Sequence, residues 1–323
     1  MTDARSAWGR TALIGATGFV GGVLSREVTF DASYASANID SIVGESFDTV
    51  ICAGAPAAMW RANADPEGDL DNLGRLVDAV SQARINQLVL ISTIAVLADP
   101  AAGADESTTD FETDHPYGCH RRWLETALVD QFPTLILRMP ALFGPGLKKN
   151  FLFDLRHPVP AFLKPDGFVS LSERLSIEMA RTLSAVYAAD AATGLITLNR
   201  PALAGHPDGA ALTEAVVAAG FAATGFTHPD SRFQFYDLGG LAQDISIALD
   251  LHLDVLHLAV EPWHAGNLSR ELIDHPLEIS TAPLRIEDMR TRHASSFGGT
   301  GPYLRSREQV LTAIRRDWDT GAW

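Results

Sequence analysis

The chain has 323 residues, 46% of them hydrophobic and 20% charged, which is enough to bury a core in one large domain or two ordinary ones and excludes a disordered chain. A formal net charge of −15 excludes a general nucleic-acid binder, which would carry a basic face, but leaves room for local positive charge around an anionic ligand. Cys52 and Cys119 cannot build a disulfide framework, residues 1–10 lack the apolar core of a signal peptide, and no run reaches ~18 uninterrupted apolar residues, so the expectation is a cytoplasmic protein with no membrane partner.

The first half alternates strand and helix patterns, as a doubly wound parallel sheet requires. Thr11–Ile14 reads as a first buried strand that breaks into Gly15, Gly18 and Gly21, and Phe19–Arg26 as a short helix. In such a turn the backbone can approach a ligand closely, and the N–H groups opening the helix suit a pyrophosphate. Glu27–Phe30 reads as a short second strand ending at Asp31, and Asp48–Ala53 as a buried strand closed by Gly54 and Pro56. Asp69–Arg84 carries apolar residues at 70, 73, 76, 77 and 80, a helical stripe. Gln87–Ser92 is the next strand, Tyr117–Asp130 a helix and Thr134–Arg138 a strand.

Beyond Gly146 the pattern loosens into a smaller, mixed region. Ser172–Tyr187, Ala210–Ala219 and Leu241–Leu249 read as helices, and Phe233–Tyr236 and Val255–Val260 as strands. Ser306–Trp318 closes the pattern as a helix, with Ser306 and Gln309 spaced for a capping box. The expected division is a dinucleotide-binding domain over 1–165 and a substrate region over 166–323, of which about 233–262 returns to the first domain.

In an open parallel sheet ligands bind beyond the carboxyl ends of the strands, which is where Ser92 and Thr93 fall. Tyr117 and Arg121 lie four apart, on one face of the next helix. A cation held beside a phenol favours phenolate, so the pair predicts a lowered Tyr117 pKa and a proton exchanged with a substrate oxygen that Thr93 orients.

In these features the chain resembles the extended branch of the short-chain dehydrogenase/reductase superfamily, which contains nucleotide-sugar epimerases, dehydratases and reductases. The resemblance rests on G-A-T-G-F-V-G-G at 15–22, C-A-G-A at 52–55, N-L-G at 72–74, S-T-I-A-V-L at 92–97 and A-D-E-S at 104–107. It continues through Y-G-C-H-R at 117–121 with Glu125 and R-M-P-A-L-F-G-P-G at 138–146, with weaker echoes at 234–245 and 255–262. It implies a Rossmann fold and an NAD-dependent enzyme, NADP being the alternative. Gly15, Gly18 and Gly21 would hold the pyrophosphate turn, with Thr17, Phe19 and Val20 also lining the cofactor. Ala53, Gly54 and Ala55 would flank the ribose, and Met139 and Pro140 would line the nicotinamide. Thr93 would orient the substrate oxygen and Tyr117 would be the acid/base. The resemblance also implies a homodimer paired through two helices of each subunit, one of them beginning near Tyr117.

Two positions depart from the family pattern. The family's lysine, which lowers the tyrosine pKa and hydrogen-bonds the nicotinamide ribose, is Arg121 here; it keeps the charge, but its planar fork is not an equivalent group. The stretch around the second strand is abbreviated. There Asp31 could bind the adenosine 2′-OH, favouring NAD, whereas Ser33 and Ser36 would tolerate a 2′-phosphate.

Lys148, Lys149 and Asn150 follow Gly-Pro-Gly where family members approach the nucleotide-sugar; the alternative is a solvated basic turn. Arg290 and Arg292 precede a Gly/Ser loop and could grip a diphosphate or form a surface salt-bridge strip. His252 and His257 read as structural, and the absence of H-E-x-x-H, C-x-x-C and G-x-S-x-G motifs gives no metal site and no hydrolase elbow. The expectation is therefore an oxidoreductase, epimerase or dehydratase acting on a nucleotide-sugar or similar polar hydroxy or carbonyl compound. Arg121 keeps open an NAD(P)-binding sensor or scaffold without turnover.

Overall fold

The computed structural model describes residues 8–191, 193–277 and 281–323, so residues 1–7 of the N-terminal segment read above lie outside the described residues. The chain forms two compact units: Met1–Leu147 with Arg232–Trp263 and Ile286–Trp323, and Lys148–Ser231 with His264–Arg285. The division comes at 147 and not at 165, and residues 286–323 belong to the first unit, not to the substrate region.

The first unit holds a parallel sheet of β1 (Thr11–Ile14), β2 (Ala32–Tyr34), β3 (Ser46–Cys52), β4 (Arg84–Thr93), β5 (Thr134–Met139) and β6 (Val255–His257), in the order β6-β5-β4-β3-β1-β2. All six residues of β5 are buried, as expected of a strand covered on both faces. From β1 the chain steps outward to β2 and then returns to the other side at β3. The strand order thus reverses between β1 and β3, and the crevice at their carboxyl ends is the natural ligand position in this architecture.

Helix α1 (Phe19–Glu27) runs further than expected, and β2 starts at Ala32 and not at Glu27. Residues 28–31 are used in the turn, where the Asp31 N–H donates to the Thr11 carbonyl at 3.1 Å. Helix α2 (Pro66–Ser81) begins three residues before the expected start at Asp69, because Asp65 caps it by accepting from the Gly68 N–H and Pro66 occupies the first turn. Leu73, Leu76, Val77 and Val80 face the core, while Leu70 from the same stripe stays 39% exposed. The capping box at Ser306 and Gln309 forms on Arg307–Thr320.

The second unit has a three-stranded antiparallel sheet, Phe162–Leu163, Leu195–Leu198 and Tyr187–Asp190, with Leu195–Leu198 in the middle. The helix expected over 172–187 is two, Pro165–Arg174 and Ile177–Val186. Leu175 is extended, and the Ser176 hydroxyl starts the second helix by accepting from the Met179 N–H. Residues 209–226 have the length and composition of a membrane span, but the helix Gly209–Ala218 stops after 10 residues in a turn at Gly220.

Helix α3 (Pro116–Val129) carries Tyr117 and Arg121, and a close approach fixes its start. A Cβ on Gly118 would lie 2.2 Å from the Ala95 carbonyl oxygen and 2.6 Å from Glu112 Cγ, so only glycine lets α3 lie on the turn that follows Thr93. Gly118→Ala is expected to cost about 1–3 kcal/mol in chemical denaturation, the scale of overpacking. An unchanged unfolding midpoint would show that the helix can shift without loss.

Candidate active site

The turn after β1 brings two strands together. Gly15 has φ +87°, its N–H donates to the Tyr34 carbonyl at 2.8 Å, and a Cβ there would stand 2.2 Å from the Ala53 carbonyl oxygen. Gly18 caps α1 without a side-chain cap, and Thr17 and Gly18 are exposed. The N–H groups of Phe19 and Val20 belong to the first helical turn, whose donors have no intrahelical acceptor. Ala53, Gly54 and Ala55 follow β3 half-buried at the same end of the sheet. This end suits an anionic diphosphate, because it offers close backbone and unsatisfied donors.

Asp31 does not belong to this group. It precedes β2, and its carboxylate accepts from the Thr11 N–H at 2.8 Å and the Thr11 hydroxyl at 3.2 Å, at the amino end of β1. The carboxyl end of β2 is three residues further on, roughly 10 Å away at strand rise. Residues 35–38 at that end are Ala35, Ser36, Ala37 and Asn38, with no carboxylate for a ribose 2′-OH; Asn38 Oδ1 accepts from the Ala35 N–H at 2.7 Å. Ser33 lies within β2 and, like Ser36, is exposed.

Thr93 closes β4 opposite Met139 of β5, and Met139 and Pro140 are buried beside it. The Thr93 hydroxyl accepts from the Ala95 N–H at 3.2 Å and lies near enough to the Tyr117 phenol to favour its ionised form. Tyr117 is 7% exposed, and its N–H donates to Asn63 Oδ1 at 3.0 Å. The Arg121 guanidinium carbon lies 4.5 Å from the Tyr117 ring centroid, as the four-residue spacing predicts.

The expected lowering of the Tyr117 pKa is not found. Burial pushes the phenol up, and the nearby Arg121 charge and the Thr93 hydroxyl only partly offset this. Arg121 itself is held by protein groups. Its Nη1 donates to Asp69 Oδ2 at 2.9 Å, and its Nη2 donates to Asp69 Oδ1 at 3.1 Å and to the Pro56 carbonyl at 2.6 Å. His120 Nδ1 lies 2.9 Å from the same Asp69 Oδ2. Burial raises the Asp69 carboxyl pKa, but the hydrogen bonds and charges of Arg121 and His120 outweigh it and hold the group below its ordinary value.

Glu125, two turns beyond Tyr117, is wholly buried. It accepts from the Ser92 hydroxyl at 2.5 Å, from Arg122 at 2.8 Å, and from Arg138 Nε and Nη2 at 3.1 and 2.8 Å. Phe111 takes both guanidinium carbons over its ring, at 4.0 Å for Arg122 and 4.9 Å for Arg138. His257 completes the network, with Nδ1 2.9 Å from the Arg290 carbonyl and Nε2 3.2 Å from Arg138 Nη1. Burial lowers the His257 pKa and Arg138 adds to this, against the opposing charge of Glu106. A neutral ring that donates from Nδ1 and accepts at Nε2 satisfies both contacts, so His257 is structural.

Arg290 ion-pairs with Asp288 at 2.7 Å while its side chain stays 46% exposed. Arg292 is exposed, and its N–H donates to Glu106 Oε2 at 2.9 Å. Lys148 and Lys149 are exposed residues that open the second unit. Asn150, at φ 116°, caps Phe151–Arg156 by accepting from the N–H groups of Leu152 and Phe153. Its side chain thus has a local structural task. Among the described residues no group of three His, Cys, Asp or Glu is placed to hold a metal. Sequence reasoning missed Asp69 altogether and gave Glu125 no role, although Glu125 lies on the helix face of Tyr117 and Arg121 at the same four-residue step.

A reversed-order parallel sheet with a glycine turn at its switch point and a Thr–Tyr–Arg cluster beyond β4 defines a dinucleotide-binding protein of the Rossmann class. The sequence profile of the NAD dependent epimerase/dehydratase family matches residues 29–200, more than half of the chain, and the protein belongs to that family. No curated protein sequence matches it. Among solved structures it is similar to MoeE5 in complex with UDP-glucuronic acid and NAD, at 15% identity and TM-score 0.60 over 98% of this chain and 100% of that one. It is also similar to RMD from Pseudomonas aeruginosa complexed with NADPH, at 16% identity and TM-score 0.57 over 97% and 99% of the two chains. UDP-N-acetylglucosamine 4-epimerase from Methanobrevibacter ruminantium M1, in complex with UDP-N-acetylmuramic acid, shares 13% identity at TM-score 0.57 over 98% and 99%. At these identities the likeness establishes the fold.

The buried network makes a strong demand of Arg138. Arg138→Met removes a charged partner from a carboxylate that has no water to replace it, and is expected to destabilise the protein by about 3–5 kcal/mol. Equilibrium denaturation measures this, and a loss under ~1 kcal/mol would mean that Glu125 is protonated or otherwise satisfied.

Proposed function

We propose that the protein is an NAD(P)-dependent enzyme that exchanges a hydride with a carbinol or carbonyl carbon, and a proton with the oxygen on it, of a nucleotide-sugar or similar polar compound. Oxidoreductase, epimerase and dehydratase outcomes all share this step. The observation that carries the reading is the Tyr117 phenol held with the Arg121 guanidinium 4.5 Å from its ring and near the Thr93 hydroxyl that closes β4, in the same sheet as the glycine turn. The family description supports a dinucleotide, and solved neighbours that hold UDP-linked compounds support the substrate class. With Asp31 away from the ribose, the preference for NAD, with NADP the alternative, rests on the family description.

The backbone at Gly15, Thr17, Gly18, Phe19 and Val20 would hold the diphosphate, Ala53–Ala55 would flank the adjoining ribose, and Met139 and Pro140 would close the nicotinamide side. When bound, the nicotinamide supplies the two-electron chemistry. Thr93 holds the substrate oxygen and Tyr117 moves its proton. Arg121 acts on the phenol electrostatically, its donors being taken by Asp69 and Pro56. With its pKa raised, the Tyr117 phenol is protonated near neutral pH and is ready to donate to a carbonyl oxygen. Reduction is therefore favoured at neutral pH, and alcohol oxidation accelerates as pH rises toward the phenol pKa.

The Arg121–Asp69 pair supports a second reading, a dinucleotide-binding sensor or scaffold without turnover, since the family's ribose cation is committed elsewhere. We also propose a homodimer formed through α2 and α3, whose outer surfaces leave Leu70 39% and Trp123 40% exposed beside an open Gly74. Sedimentation at the mass of two chains would support pairing, and the mass of one chain would rule it out. Two free cysteines, Cys52 with its thiol pushed by burial up to about 11, suit a cytoplasmic setting, which fractionation tests.

The deciding experiment is Tyr117→Phe assayed against a panel of nucleotide-sugars with both dinucleotides. Turnover is expected to fall at least 100-fold, on the scale of a lost general acid, while dinucleotide affinity stays within about twofold. Turnover unchanged in the variant would remove the acid/base role. Dinucleotide binding with no turnover by the unmodified protein would favour the sensor reading.

A further inference from the structure

Asp69 has the geometry of a component that belongs to the site without touching substrate. It sits in the first turn of α2 with its side chain 7% exposed, and both its oxygens face the fork of Arg121, itself 4% exposed. Such a two-point carboxylate–guanidinium contact fixes the plane and direction of the cation as well as its distance. The third anchor is the Pro56 carbonyl at 2.6 Å, in the loop after β3. Held from these two elements, the guanidinium lies 4.5 Å below the Tyr117 ring centroid. Without Asp69, a long, flexible side chain carrying a full charge would be left with one neutral carbonyl in a buried site, a reason to turn toward water.

We propose that Asp69 is the positioning residue of this site: its carboxylate clamps Arg121 under Tyr117 and so fixes the electrostatic environment in which the phenol exchanges its proton. The inference rests on the reading of Tyr117 as the working phenol. The groups that face Tyr117 give the test a definite sign. Arg121 on its own helix favours phenolate, the Thr93 hydroxyl from β4 does the same, and Asp69 from α2 opposes it as a like charge. Asn63 meets only the Tyr117 backbone N–H, and His120 meets Asp69. If Asp69 were only a nearby negative charge, removing it would make the phenol ionise more readily. If it holds Arg121 in place, removing it takes the cation away, and the phenol ionises less readily.

The test is a pH titration of the tyrosine ring carbons by NMR in full-length protein labelled at tyrosine, with Tyr117 assigned from Tyr117→Phe. It compares the unmodified chain with Asp69→Ala, Asp69→Asn, Asp69→Glu and Arg121→Met. The expected result is an upward shift of the Tyr117 titration in Asp69→Ala, matching the shift in Arg121→Met, with Asp69→Glu returning toward the unmodified curve. A downward shift, or none, in Asp69→Ala overturns the proposal; Asp69→Asn, closer in volume, carries the same comparison if the alanine variant does not fold. A crystal structure of whichever variant folds decides the matter if alkaline unfolding overtakes the titration. A guanidinium turned away from the Tyr117 ring supports the clamp, and one still beneath the ring overturns it. Neither readout depends on turnover, so an enzyme reading lost through a fully active Tyr117→Phe and a clamp lost through these results are told apart.

Discussion

A carboxylate taken entirely out of water must be paired, and the pairing of Glu125 governs the geometry of this site. Its partners come from β4, from its own helix and from β5, and Arg138 passes the contact on to His257 in β6. Four elements are therefore tied at one buried point. The tie sets the rotation of α3 on the sheet, and rotation decides which side chains meet the end of β4. Tyr117, Arg121 and Glu125 share one helix face, so anchoring Glu125 inward directs Tyr117 toward Thr93. Gly118 sets the remaining variable, the distance, by letting the start of α3 lie on the Ala95 carbonyl. The desolvation penalty of such an ion pair leaves little net stability, and its main effect here is on orientation.

The Arg121 departure from the family pattern has a structural consequence that substitution alone would not show. An ammonium is a compact charge with three donors that turn freely toward different acceptors, whereas a guanidinium presents its donors in a fixed plane. Asp69 matches that plane from α2, and the Pro56 carbonyl takes a further donor. The cation keeps its place 4.5 Å from the phenol ring while most of its fork is committed to protein acceptors. Burial then dominates at Tyr117, and the phenol is a stronger holder of its proton than the spacing of charges suggests.

Much of the fold was legible because a parallel sheet buried on both faces leaves continuous apolar runs, as in T-L-I-L-R-M and Q-L-V-L-I-S. The Gly15 turn and the Tyr117–Arg121 spacing were readable for a similar reason, since each follows from local geometry. Local signals also existed for some features that were missed. Asp65 followed by Pro66 marks the true start of α2, and Ser176 marks the break within 172–187. Asp31 failed for a tertiary reason: an acid near the second strand looks alike at either end until the register Ala12–Ala32 shows that it lies at the amino end. Asp69 was illegible because its partner lies 52 residues away, and spacing within one helix says nothing about contacts between two.

The measurement that bears most directly on the central claim is calorimetric titration of the full chain with NAD+ and NADP+, backed by mass spectrometry of small molecules released on denaturation. Saturable binding of one dinucleotide per chain, or its release from freshly purified protein, is the expected result, and the form that binds settles the preference between the two. Absence of binding by either form, with none released, would contradict it and leave the glycine turn a structural element of the sheet alone.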